Sequence, residues 1–361
     1  MPLLIDAHED LAWNIHTLNR DYTRSALDIR KRESKDNNSK LNGNSLLGWE
    51  NYQRGKVAVI FATLFVSPLR KKLGGWDTEV YRDFDQAHRT NKKQAETYKA
   101  LAGDHPDKFR LVRTKGDLAE VIGDWKKPGK DHPVGLVLLM EGAEGVRKPA
   151  ELEDWWETGV RIIGPAWAGT RFCGGSHEPG PLTEEGRALL KGMAETGFAL
   201  DISHMDELAA KQALDEFPGP VIASHANCAA LIQGYEGNRQ LSDDIIRRTI
   251  ARDGVIGLVP FLAFLKNGWK ISDGRKGFSL SDPYCAHIDH VCQLAGDAWH
   301  AAIGTDFDGG FGVESVPEDV DSIDDLQKLH PVLQDRGFVE AEIERIMNGN
   351  WLRFLEACLP G

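Results

Sequence analysis

The sequence predicts an α/β fold, a (β/α)8 TIM-like barrel with long βα loops, in a single domain over residues 1–361. Three observations predict it. Eight short apolar segments recur along the chain, separated by amphipathic stretches with helix signals, and strands that alternate with helices imply a parallel sheet. Roughly eight such units in a chain of this size is the count of a closed barrel. Residues able to do chemistry fall at the carboxyl-terminal ends of these segments, the face on which barrel active sites sit. An open doubly wound sheet is the alternative, but the sequence has no GxGxxG or P-loop turn to support one.

The first segment, residues 3–8, is apolar and bounded by charge, which reads as a buried strand. Residues 57–66, 134–141, 160–167, 198–204, 220–225, 254–261 and 301–306 supply the other seven. The helices between them have physical start and stop signals. Thr183 can cap a helix carrying Leu189, Leu190 and Met193 that ends near Gly197. Ser242 can cap one running through Ile245, Ile246 and Ile250, with Gly254 beyond its end. Asp282-Pro283 can open a helix through Ile288, Val291 and Leu294 that stops at Gly296. Two connections exceed a minimal barrel. Residues 14–54 follow the first strand, and their middle, 32–44, is polar and reads as loop. Residues 71–130 join the second and third strands, with a helix around 81–101 and further helical pieces. Long barrel loops serve as lids or as contacts between copies, so a homodimer is one expectation.

Composition narrows the function classes. The formal net charge is -12 and the pI about 5.5, and an acidic chain repels phosphate backbones, so no nucleic-acid partner is expected. The 5 cysteines are odd in number and dispersed without a CxxC pair, which argues against both a disulfide framework and a thiolate metal site. The opening apolar run is too short for a secretory leader, and no apolar stretch is long enough to span a bilayer. A cytoplasmic protein without a membrane partner is the expectation.

Five strand ends carry metal-competent residues: His8, Asp10, Glu141, His204 and His225. Alternation along a strand turns His8 and Asp10 to the same side. Glu141 ends the apolar run that begins at Val134, where a carboxylate is costly to bury unless something compensates it. His204 and His225 each close a strand as Ser-His. Three histidines and two carboxylates exceed the needs of one tetrahedral zinc, and suit two divalent metals bridged by one carboxylate. Glu141 lies between the two groups in sequence and is the natural bridge. Nitrogen and carboxylate ligands without thiolate favour zinc, although manganese or iron can occupy such a set. Asp306 ends the eighth segment and is a candidate proton shuttle. Asp308 has the same parity, but runs into Gly309-Gly310 and reads as loop.

Taken together, Asp6-Ala7-His8-Glu9-Asp10, Glu141-Gly142-Ala143, Asp201-Ile202-Ser203-His204-Met205, Ser224-His225-Ala226-Asn227, Asn238-Arg239-Gln240-Leu241-Ser242-Asp243, His287-Ile288-Asp289-His290 and Gly304-Thr305-Asp306-Phe307-Asp308-Gly309 resemble, in order and spacing, the membrane (renal) dipeptidase family of zinc peptidases within the amidohydrolase superfamily. The resemblance runs nearly end to end. It implies a binuclear zinc barrel that cleaves dipeptides by a metal-bridging hydroxide. His8 and Asp10 would hold one zinc, His204 and His225 the other, and Glu141 would bridge them. Arg239 matches the family's arginine for the free carboxylate of the substrate, a task that suits a planar guanidinium fork.

The chain departs from the family at Trp167, where a histidine usually contacts the substrate carbonyl. Indole donates one hydrogen bond and cannot accept one or take up a proton. Trp167 is then a neutral donor or a wall that narrows the pocket, with His177 and Arg171 as candidates for the missing contact. His287 and His290 lie on a helix before the last strand and read as packing or surface residues, as do Trp155 and Trp156. Cys173 has no adjacent base to activate it. Trp49 and Trp76 lie in the long connections, where a lid role is open. Two other functions also stay open: a different metal hydrolase on the same barrel, acting on a lactone, an amine or an N-acyl amino acid, and a non-catalytic relative.

Overall fold

The computed structural model describes residues 1–129 and 131–361; Lys130, at the end of the second long connection, lies outside the described residues. Eight parallel strands follow one another around a sheet: β1 (Leu4–Glu9), β2 (Val57–Phe65), β3 (Val134–Glu141), β4 (Val160–Gly164), β5 (Ala199–Asp201), β6 (Val221–Ala223), β7 (Val255–Leu258) and β8 (Ala301–Ile303). Each pairs with its sequence neighbour, from β1–β2 through to β7–β8. The ring closes between β8 and β1 through a bridge from Glu9 to Phe307 and through Asp6, which accepts from the Thr305 amide at 2.7 Å. The result is a nearly closed TIM-like barrel, as the sequence predicts.

All eight segments form strands because each is apolar enough to be buried on both faces, the usual condition of parallel strands. One further strand of the barrel sheet was not anticipated. Phe109–Leu111 pairs with the first residues of β3, Phe109 opposite Val134 and Leu111 opposite Leu136. The five-residue β4 reaches β3 only from Leu138 onward, so the short segment covers the edge that β4 leaves bare.

The helix signals act as read. Thr183 caps Glu184–Thr196 by accepting from the Gly186 amide, and Gly197 ends that helix in the left-handed region at φ 104°. Ser242 caps Asp243–Ala251, and Tyr284–Ala295 runs from Pro283 to Gly296. The carboxyl-terminal helix Asn350–Cys358 braces the barrel seam. Trp351 donates to the Ile303 carbonyl at 2.8 Å, and Asn348, just before that helix, donates to Leu3 at 2.9 Å.

Residues 32–44 are more ordered than their polarity implies. The first long connection holds helices Leu11–Leu18, Ala26–Glu33, Asn38–Asn42 and Trp49–Gly55. A buried polar network organises it. Arg20 pairs with Glu33 at 2.8 Å and with Asp308 at 3.0 Å, and Asp308 also accepts from Tyr22 at 2.8 Å, Ser45 at 2.7 Å and the Leu46 amide at 2.7 Å. Within 32–44 Glu33 and Asn42 are buried in this network, whereas Arg32, Ser34, Lys35, Asp36, Asn37 and Lys40 are exposed. The second connection carries Phe84–Asp104 and Lys115–Trp125. Trp49 lies under the Lys108 ammonium, 4.8 Å from its ring, and Trp76 packs edge-on against Trp13 at 5.5 Å. No helix among the described residues is long and apolar enough to cross a membrane.

Candidate active site

The five strand-end residues converge at the carboxyl-terminal mouth of the barrel, all buried. Glu141 stands at their centre. Its Oε2 lies 3.6 Å from His8 Nε2, and its Oε1 lies 3.0 Å from His204 Nε2 and 3.3 Å from His225 Nε2. The two histidine Nε2 atoms are themselves 2.9 Å apart. Ligand atoms about 2.0–2.1 Å from a tetrahedral cation lie roughly 3.3 Å from one another, so this trio has the spacing of one coordination shell. On the other side, His8 Nε2 is 3.9 Å from Asp10 Oδ2, and ligand atoms of His8, Asp10 and Asp306 all lie within 4.8 Å of one another. The site therefore divides into two donor groups, one on each oxygen of Glu141. His8 Nε2 is buried without a hydrogen-bond partner, the condition of a nitrogen left for a cation. The donor set fits a divalent pair.

Neighbouring side chains aim these ligands. Ser176 Oγ lies 2.9 Å from His204 Nδ1, and Ser224 Oγ lies 2.8 Å from His225 Nδ1. Each imidazole thus has its far nitrogen engaged and its Nε2 turned to the centre, the usual arrangement around a metal. Asp201 holds this frame by accepting from the amides of Ser203 at 3.0 Å and Ser224 at 2.9 Å, and from the Ser224 hydroxyl at 2.5 Å. It falls within 4.8 Å of His8 and His225 ligand atoms, but three donors already occupy its carboxylate. Thr63 donates to Asp10. Asp201 and Ser224 sit beside the strand-end histidines in sequence, which was the available signal. Ser176 comes from a hairpin of Cys173–Gly175 with Glu178–Leu182 and carried none.

Electrostatics separate the histidines. Burial works against charge on His8, but Glu141, Asp10 and Asp306 outweigh it and push its pKa up to about 10. Burial and the Arg239 cation lower His204 to about 4, and burial with His8 and Arg239 holds His225 well below its usual value. Neutral imidazole is the form that binds metal. Burial raises Asp10 to about 6 against the pull of His8, and raises Asp306 well above the carboxylate range, with Asp10 and Glu141 adding to the shift. Backbone strain gathers at the same place. His177, His204, Asp306 and Asp308 all have φ between 57° and 66°, which non-glycine residues hold only where their surroundings impose it.

A cavity of about 370 Å³ opens over the metal candidates and includes Asp306, Arg239, Trp167 and His177 in its lining. Arg239 is buried. Its Nη2 donates to the His225 carbonyl at 2.8 Å, while Nε and Nη1 have no partner. Trp167 lies beyond β4, half-buried, with its ring 5.1 Å from Phe65 and 6.2 Å from His204. It forms wall. His177 is exposed at the rim. Arg171 is outside the lining and tied to Glu144 and Glu185, each at 3.1 Å, so it does not take the place of the family histidine. Asp308 is also outside the cavity, in the polar network described above.

The remaining residues of interest lie elsewhere. His287 Nδ1 accepts from the Cys228 amide at 3.1 Å, and His290 pairs with Asp243 at 2.7 Å. Trp155 packs on His88 at 5.2 Å and Trp156 on Phe198 at 5.1 Å. Burial pushes the Cys173 thiol up to about 12, which leaves it unreactive.

Comparison with known proteins gives a concordant result. A sequence profile described as membrane dipeptidase (peptidase family M19) matches residues 2–358. The uncharacterised protein in the pqqA 5' region of Klebsiella pneumoniae is 28% identical over 275 residues, covering 73% of this chain and 94% of that protein. The crystal structure of dipeptidase AC, a metallopeptidase of family M19, superposes with a TM-score of 0.77 at 22% identity, over 100% of this chain and 99% of the other. A metallopeptidase from Rhodobacter sphaeroides, liganded with a phosphinate mimic of the dipeptide L-Ala-D-Ala, superposes with a TM-score of 0.75 at 21% identity over 99% of each chain.

Proposed function

The chain belongs to the membrane dipeptidase family of metallopeptidases, and from that premise we propose that it hydrolyses dipeptides with two zinc ions held by His8, Asp10, Glu141, His204 and His225. The observation that carries the proposal is the division of donors about Glu141, with His8 on one oxygen and His204 and His225 on the other. Bound there, two divalent cations supply Lewis acidity and provide hydroxide at neutral pH.

The chain's own residues do the rest. Arg239 binds the substrate carboxylate with the guanidinium N–H groups that the His225 carbonyl leaves free and fixes the peptide across the floor of the cavity. Asp306, beside both Asp10 and His8, takes the proton from attacking water and returns it to the nitrogen of the leaving amine. Ser176 and Ser224 keep the imidazoles in register. Trp167 and Phe65 exclude water from one flank. The compartment we propose is the cytoplasm, since all five cysteines are unpaired thiols.

Metal analysis and a hydrolysis screen test this reading. Zinc-loaded protein should carry about two equivalents, as a bridged pair requires, and should cleave dipeptides in preference to N-acyl amino acids and lactones. One firm equivalent would remove the bridging role of Glu141. Turnover of acyl amino acids or lactones without turnover of dipeptides would replace the dipeptidase reading with the broader hydrolase one.

A further inference from the structure

We propose that the cavity selects dipeptides whose carboxyl-terminal residue bears an aromatic or other large apolar side chain, seated on Phe261, Phe264 and Phe311. The inference rests on the dipeptidase reading and on Arg239 as the carboxylate contact.

A continuous aromatic surface begins at Arg239. Its guanidinium carbon stands 4.8 Å from the centre of the Phe264 ring. Phe264 meets Phe261 edge-on at 4.9 Å, and Phe261 lies flat on Phe311 at 4.1 Å with an interplanar angle of 7°. All three line the cavity, and Phe261 and Phe264 are only half-buried, so part of this surface faces the substrate space. These residues come from the loops after β7 and β8, next to Arg239 from the loop after β6. A separate group consists of Trp13 and Trp167, from the connections after β1 and β4, and Phe65 at the end of β2, with neighbouring rings 6.1 Å and 5.1 Å apart. The cavity thus has two aromatic flanks, and only the first adjoins the arginine.

Covalent geometry makes the link to the substrate. In an amino acid, Cβ lies about 2.5 Å from the carboxylate carbon. A residue whose carboxylate meets Arg239 therefore starts its side chain within reach of Phe264 and Phe261. The three phenylalanines offer that side chain no hydrogen bond and no counter-charge. An apolar group gains burial there, whereas a charged group loses water without compensation. A single methylene in such a pocket is worth ~10-fold or more in kcat/KM, so an entire benzyl group against hydrogen should exceed that.

The test compares Leu-Phe, Leu-Leu, Leu-Gly and Leu-Asp, each with an L or, where chiral, a D carboxyl-terminal residue, as substrates of the zinc-loaded full chain. Leu-Phe and Leu-Leu should each exceed Leu-Gly by at least ~10-fold in kcat/KM, with Leu-Asp below Leu-Gly. Phosphinate mimics of Leu-Phe and Leu-Gly should rank the same way in inhibition constant, a readout independent of turnover. Phe261→Ala should shrink the Leu-Phe to Leu-Gly ratio, and thermal melting will show whether that variant is folded. Equal kcat/KM across the series, or a ratio unmoved in folded Phe261→Ala, overturns the inference and leaves the dipeptidase reading intact. If no dipeptide is hydrolysed, both fall.

Discussion

Replacing Arg239 with methionine separates a substrate contact from a structural one. The guanidinium is buried, with one nitrogen spent on the His225 carbonyl and two left without partners. A bound carboxylate can take one of these free donors together with the second N–H of Nη2, since Nε and Nη1 face opposite sides of the guanidinium. Charge-assisted hydrogen bonds contribute ~1.5–3 kcal/mol each, and desolvation of the carboxylate offsets part of that. A net loss of about 3 kcal/mol, roughly a hundredfold in kcat/KM, follows for free-carboxylate dipeptides in Arg239→Met. Dipeptide amides, already lacking the anion, should lose little more. Stability should move differently. Burial holds the Arg239 pKa below its ordinary value, so the fold gains little from the charge. Methionine forfeits one hydrogen bond to His225 but removes a desolvated cation, and the urea midpoint of the metal-free protein should change by less than the equivalent of ~1 kcal/mol. The assays are steady-state kinetics on paired acids and amides and equilibrium urea unfolding. Equal losses on acids and amides, or destabilisation beyond ~2 kcal/mol, would refute the carboxylate role.

Asp306→Asn should retain metal and KM while kcat falls by ~100- to 10,000-fold; near-normal kcat moves the proton transfer elsewhere. Ser176→Ala should weaken zinc binding by ~10- to 100-fold in chelator competition, the usual effect of removing a group that orients a ligand histidine, and unchanged affinity would show that His204 needs no support from it. Asp308→Asn leaves buried Arg20 with Glu33 as its one carboxylate partner and should cost roughly 2–4 kcal/mol in urea unfolding; a loss under ~1 kcal/mol would mean the network is redundant. His287 is buried neutral with a folded pKa of about 4 against 6.5 when unfolded. Its contribution is complete above pH 6.5 and is lost as pH falls toward 4, by up to ~3 kcal/mol. The stability difference between pH 7 and pH 4 should therefore be smaller in His287→Gln, and an identical pH dependence in the two proteins would refute the assignment.

The strands were legible because burial on both faces leaves continuous apolar runs. Their ends were not. Residues 160–167, 198–204 and 254–261 read as strands to their last apolar or functional residue, whereas the ladders stop at Gly164, Asp201 and Leu258. Beyond those points side chains take over the backbone bonds. Asp201 accepts from the Ser203 and Ser224 amides, and His204 turns to φ 66°. A run of residue types does not record that exchange. The metal candidates were legible for a related reason, since each is a polar residue closing an apolar run. Phe261, Phe264 and Phe311 were not singled out, because apolar residues beyond strand ends read as core until the loops of two different units are brought around one cavity.

Asp306 and Asp308 show where chain parity stops deciding. The two have the same spacing and nearly the same φ, 57° and 63°. One enters the cavity and the other enters a polar network built from the first long connection. Asn14 and Asn42 both donate to the Asp308 carbonyl, at 2.9 Å and 3.0 Å, while Arg20, Tyr22, Ser45 and the Leu46 amide engage its carboxylate. The turn that presents Asp306 is therefore held by residues some three hundred positions earlier in the chain. That connection was expected to serve as a lid or a contact between copies; its buried residues act as an anchor. The residues on either side of Asp306 also close the barrel, Thr305 through Asp6 and Phe307 through a bridge to Glu9, both in β1. A left-handed conformation at a non-glycine residue costs of order 1–3 kcal/mol and persists only where several contacts over-determine it. Here those contacts join the turn after the last strand to the first strand and the first long connection, so loosening the seam should displace Asp306 before it disturbs His204 and His225, whose supports Ser176, Asp201 and Ser224 lie across the barrel, on β5 and in the loops after β4 and β6.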